Sequence, residues 1–133
     1  MSENLDLVRS IYAAWERGDW SSVEWADSEI EFEFADGPTP GRGIGIADMA
    51  ERWRDQLQSF EDFRGRAEEY RELDDERVLV LMSNSGRGKR SGVNVQQIAA
   101  KAANVFQVRD GKVRRLVLYW DRDRAFADLG LKE

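Results

Sequence analysis

Phe106–Leu131 reads FQVRDGKVRRLVLYWDRDRAFADLGL. Asp110-Gly111 at its centre is a strong hairpin turn, because both central residues of the tightest hairpin loops need positive φ. The flanking runs are therefore paired strands, the second spanning Val113–Trp120. Asp121 then caps a short helix that carries Ala125, Phe126 and Leu129 and is closed by Gly130. Working backwards, Val93–Val108 is one long strand segment, with room for a bulge in its alanine-rich stretch Ile98–Ala103. Gly86–Gly92, GRGKRSG, is a basic, glycine-rich connection. Arg77–Ser85 contains the buried run Val78-Leu-Val-Leu-Met82, Asp74 and Asp75 make a turn, and Phe63–Leu73 is a polar strand suited to an edge.

The first half of the chain has a different period. Leu5, Val8, Ile11, Tyr12 and Trp15 share one helical face, with Gly18 as the stop. Ser21 and Glu24 have capping-box spacing for a short second helix carrying Val23 and Ala26. Ile30, Phe32 and Phe34 then alternate with Glu29, Glu31 and Glu33, which is a strand. Asp36–Gly43, DGPTPGRG, holds both prolines and three glycines and reads as a loop. Ile46, Met49, Trp53, Leu57 and Phe60 line one face of a third helix. Helices early and antiparallel strands late make an α+β protein. No repeat or linker interrupts the 133 residues, so a single domain over 1–133 is expected.

Composition removes whole classes of chemistry. With no cysteine and no histidine, disulfides, thiol catalysis and Ser-His-Asp hydrolysis are excluded, and a metal site would need clustered oxygen ligands. Asp121, Asp123 and Asp128 read as a cap and a solvated face, so no metal and no cofactor is expected. A net charge of −6 disfavours nucleic acid. No apolar run approaches the roughly 20 residues of a membrane span, and the polar start MSENLDLVRS has no signal-peptide core, so a cytoplasmic location is expected.

Ile11–Trp20, IYAAWERGDW, resembles the first-helix signature of SnoaL-like and ketosteroid-isomerase-like proteins of the nuclear-transport-factor-two-like fold. Phe106–Leu131 resembles the closing hairpin and helix of bacterial SnoaL-like proteins. The resemblance covers nearly the whole chain in order and spacing. It is specific for a fold, not for a reaction. It implies a cone: a curved antiparallel sheet closed by three helices from the N-terminal half around a pocket, a short C-terminal helix, and pairing as a homodimer through the convex sheet face. In the steroid isomerases a base carboxylate ends the first strand, and Glu33 stands at that place. A first-helix tyrosine and a protonated aspartic acid form their oxyanion hole. Counting from Gly18-Asp19 puts the tyrosine's place at Ile11; counting back from Asp110-Gly111 puts the acid's place at Asn104. One donor is missing and the other is an amide, which argues against steroid isomerisation.

The candidate site residues each carry two readings. Glu33 either lines the pocket as an acid or base with a raised pKa, or belongs to the wet face of a strand that packs its phenylalanines. Asn104, among small and apolar neighbours, either holds a ligand carbonyl or oxyanion, or is a buried amide satisfied by its surroundings. Ile11, Trp15, Trp53, Leu57 and Trp120 either line an apolar cavity or are ordinary core. The glycine-rich run lacks phosphate-loop spacing and reads as a basic hairpin loop. The expected partner is a small apolar organic molecule. Three functions remain open: cofactor-free isomerase or cyclase chemistry on a carbonyl compound, ligand binding without turnover, and an interaction domain using the sheet.

Overall fold

The computed structural model describes residues 3–17, 19, 24–36, 40–58, 60–88 and 101–131, with the side chains of 56, 57, 60–64 and 86–88 outside that description. The elements run α1 (Glu3–Glu16), β1 (Ala26–Phe34), β2 (Gly41–Ile44), α2 (Ile46–Gln58), β3 (Phe60–Glu72), β4 (Arg77–Gly88), β5 (Ala102–Arg109), β6 (Lys112–Tyr119) and α3 (Arg122–Leu129). The α+β class expected from the period change is the observed one. Asp110 and Gly111 take φ of 54° and 76°, the geometry that joins β5 to β6 without splaying them. Asp121 caps α3 by accepting from the Asp123 amide, and Gly130 closes it in the left-handed region.

Four details differ from the expectation. Phe60, expected on the third helix, opens β3, because α2 ends at Gln58. Gly41–Gly43 are not loop: they open β2, which pairs antiparallel with the end of β1. β4 runs on through Gly86–Gly88, so the glycine-rich connection starts later. Ala26 is buried as the first residue of β1 and not part of a helix; most of the expected second helix, like 93–100, lies outside the described residues.

All six strands form one sheet, ordered β2-β1-β6-β5-β4-β3. The pairing is antiparallel except between β1 and β6, which run parallel. Register shifts occur between Ala67 and Glu69 and between Gln107 and Val108, and such bulges bend and twist a sheet. The expected edge strand, β3, is an edge.

Strand alternation sorts the side chains into two faces. Across the sheet, Phe32, Leu116, Phe106 and Val78 are register partners, as are Phe34, Leu118, Asn104 and Val80. These rows face α1 and α2, where they join Val8, Ile11, Tyr12, Trp15 and Met49 in the main core. The intervening row Glu33, Val117, Val105, Leu79 faces the other way. There, Leu79, Leu81, Ala103, Val105, Val117 and Tyr119 pack with Ala125 and Phe126 of α3. Arg122 ties this helix down: its guanidinium donates to the carbonyls of Ala102 (3.2 Å) and Met82 (2.8 Å) and to Glu68 (2.7 Å). It thereby satisfies carbonyls where the β4–β5 ladder ends.

Candidate functional site

Among the described residues the inner face buries two amides, Asn84 and Asn104. Asn104 sits in β5 because Ala102 and Phe106 on either side are also inward, so alternation puts its amide under α1. There its Nδ2 donates to the Tyr12 hydroxyl at 2.6 Å, across 92 residues of sequence. Tyr12 is fully buried. Its ring meets the rings of Trp15, Tyr70 and Phe106 edge-on, with centroids 4.9, 5.9 and 5.7 Å away. Trp15 in turn lies 5.0 Å from Trp53, which also lies 6.1 Å from Phe34. An amide has two N–H donors and a carbonyl acceptor. Among the described residues Asn104 uses one donor in this bond.

The candidates do not all meet here. Ile11 and Trp15 are buried on α1 and Trp53 is half-buried on α2. Trp120 is buried just beyond β6, where its backbone N–H donates to Asp36 at 2.5 Å. The Leu57 side chain lies outside the described residues. Glu33 is on the opposite sheet face, because Phe32 and Phe34 on either side of it point inward. Its carboxylate, 25% exposed, lies between Arg115 at 3.6 Å and Arg42 at 3.8 Å. It lines an open groove of about 280 Å³ with Arg77, Gln107, Val117 and Tyr119. The sheet therefore separates Glu33 from Asn104.

A sequence profile of the SnoaL-like domain matches residues 8–116. The chain belongs to the SnoaL-like domain family. This SnoaL-like chain superposes on an NTF2-like protein of unknown function from Burkholderia pseudomallei with a TM-score of 0.76, at 20% identity over 96% of this chain and 97% of that one. It is similar to TerC, co-crystallised with polyporic acid, with a TM-score of 0.73 at 21% identity over 96% and 98%. It is also similar to a candidate isomerase from Bacillus subtilis, with a TM-score of 0.70 at 20% identity over 98% and 94%. No curated protein matches the sequence. At these identities the structural likeness is one of fold. No described helix is long and apolar enough to cross a membrane.

Within this SnoaL-like fold, the residue that sequence counting missed is Tyr12. Counting from Gly18-Asp19 points to Ile11, one residue away, yet the hydroxyl that meets Asn104 belongs to Tyr12. The available signal was that Tyr12 lies on the apolar face of α1, and a buried tyrosine hydroxyl needs a polar partner.

All three tyrosines of the chain are held in the neutral form. Burial pushes Tyr12 well above its ordinary value, partly offset by the Asn104 hydrogen bond. Burial and the nearby Glu16 raise Tyr70. Burial and the hydrogen bond to Asp128 push Tyr119 up to about 12. The native protein is thus expected to show less tyrosinate absorbance at about pH 10.5 than the unfolded chain, in which tyrosine is more than half ionised there. Above about pH 10 the native state binds more protons than the unfolded one, so stability falls as pH rises from there. A native tyrosine titrating at its ordinary value contradicts this placement.

Proposed function

We propose that this SnoaL-like protein binds a small, largely apolar carbonyl compound on the inner face of the sheet. Asn104 donates its second N–H to the carbonyl oxygen, and Tyr12 is the positioning residue that fixes the plane of the amide. The observation that carries this reading is the buried Asn104–Tyr12 hydrogen bond. In a low-dielectric surround an oriented donor of this kind is stronger than in water. The aromatic rings of Trp15, Trp53 and Phe34 supply apolar contact for a ring or chain. That TerC, of similar fold, was crystallised with polyporic acid supports a small organic ligand.

Isomerase or cyclase chemistry would need a base beside the carbonyl. Among the described residues no carboxylate contacts the Asn104 amide, and Glu33 with its two arginines is behind the sheet. This supports binding without turnover as the first reading, with no cofactor invoked. A homodimer through the outer sheet face, as the resemblance implies, belongs to the same reading.

Calorimetric titration with para-acetylbiphenyl, an apolar ketone, tests it. Binding is expected, weakened by Asn104→Leu and unchanged within about twofold by Glu33→Gln. No heat of binding overturns the reading. A tenfold loss in Glu33→Gln would return that carboxylate to the site.

A further inference from the structure

Asn84 is the other buried amide among the described residues, only 8% exposed. It lies on β4 in the inward series Val78, Val80, Met82. Among the described residues nothing hydrogen-bonds to its amide. A buried amide without a partner bears the full cost of its desolvation, so such groups are rare in native proteins and call for a cause. Its surroundings differ from those of Asn104. Its register partner is Gly65, and the next inward row is Ala67, Met82 and Ala102. A side chain on Gly65 would meet the Met82 methyl at 2.9 Å and the Asn84 Oδ1 at 3.2 Å. The amide therefore leans over a spot that only glycine leaves clear. Gly65 and Ala67 stay partly exposed although they point inward. Phe34, Leu118, Val80 and Tyr70 share the row of Asn104 itself.

We propose that Asn84 is a second polar anchor of the inner site, selecting ligands with a polar group at each end of an apolar body. The proposal rests on the carbonyl-binding reading of Asn104. Asn84 stands four residues along β4 from Val80, the register partner of Asn104, so the two amides are roughly 13 Å apart along the sheet. With both amides leaning inward and a hydrogen bond of about 3 Å at either end, the matching ligand has the length of two linked six-membered rings. Its chemical class is an aryl or polycyclic ketone with a hydroxyl or second carbonyl at the far end. Asn84 can serve either, since an amide both donates and accepts.

The test compares two probes by calorimetry: para-acetylbiphenyl, and the same ketone with a hydroxyl at the para position of its far ring. The hydroxylated probe is expected to bind about tenfold tighter to the native protein. In Asn84→Leu, which keeps the side-chain size, that advantage should vanish or reverse while the affinity of the plain ketone moves less than twofold. Asn84→Asp serves as a second variant that keeps the shape, and it should retain a preference for the hydroxyl. Equal affinities in the native protein, or an advantage that survives Asn84→Leu, overturn the anchor. If the plain ketone still binds and still weakens in Asn104→Leu, the carbonyl site stands and only the anchor falls. If neither probe binds, both fall together.

Discussion

Asn104→Leu is expected to weaken binding of para-acetylbiphenyl by about ten- to a hundredfold, and adding Tyr12→Phe is expected to recover stability without recovering affinity. In the proposed site the amide gives the carbonyl its one oriented donor, and an unmade hydrogen bond at a buried polar atom costs about 1–3 kcal/mol. The single change also strands the Tyr12 hydroxyl, which is fully buried and whose described partner is Asn104. That loss of about 1–3 kcal/mol should appear as a lower denaturation midpoint. Removing both polar groups leaves an apolar pair of similar shape, so the midpoint should return most of the way. Tyr12→Phe alone separates positioning from packing. It should raise the carbonyl stretching frequency of bound ketone towards its value in hydrocarbon solvent, an effect that a purely structural role would not produce. A double variant that regains both stability and affinity would show that the carbonyl is held elsewhere.

Leu116→Ala should be among the most damaging aliphatic truncations in the core, at about 3–5 kcal/mol. Leu116 is fully buried and lies between Phe32 of β1 and Phe106 of β5 in the register. It therefore joins the parallel β1–β6 pair to the antiparallel β6–β5 pair, and rigid neighbours on both sides cannot collapse into the space left. With a total stability of about 5–15 kcal/mol for a domain, the loss should be plain in urea denaturation. Arg114→Ala, on the exposed side of the same strand, should stay within about 0.5 kcal/mol. Comparable effects at the two positions would mean that the inner face is loosely packed.

The two variants probe different levels of legibility. Leu116 could be placed in a strand from the sequence, because the Asp110-Gly111 turn sets the hairpin and the run after it is apolar. The amphipathic face of α1 and the alternation of Ile30, Phe32 and Phe34 were equally plain, since side-chain period is a local property of the backbone. The Asp36–Gly43 run was not: glycine and proline announce a turn, but whether Gly41–Gly43 then pair depends on an edge presented by β1. The buried hydrogen-bonded pair was only half visible. Asn104 stood out as an amide among apolar residues, whereas its partner Tyr12 passed for core and the count settled on Ile11.

The sequence by itself determined the α+β class, the hairpin and its capped helix, and the opposition of Glu33 to the phenylalanines on either side of it. All of these follow from periods and turn chemistry within a few residues. Only the tertiary structure decided which of those opposed faces turns inward, that β1 lies parallel to β6, and that the Tyr12 hydroxyl meets the Asn104 amide. Each depends on which distant surfaces bury one another, and a one-residue step along a strand reverses the face without altering the pattern that a sequence displays.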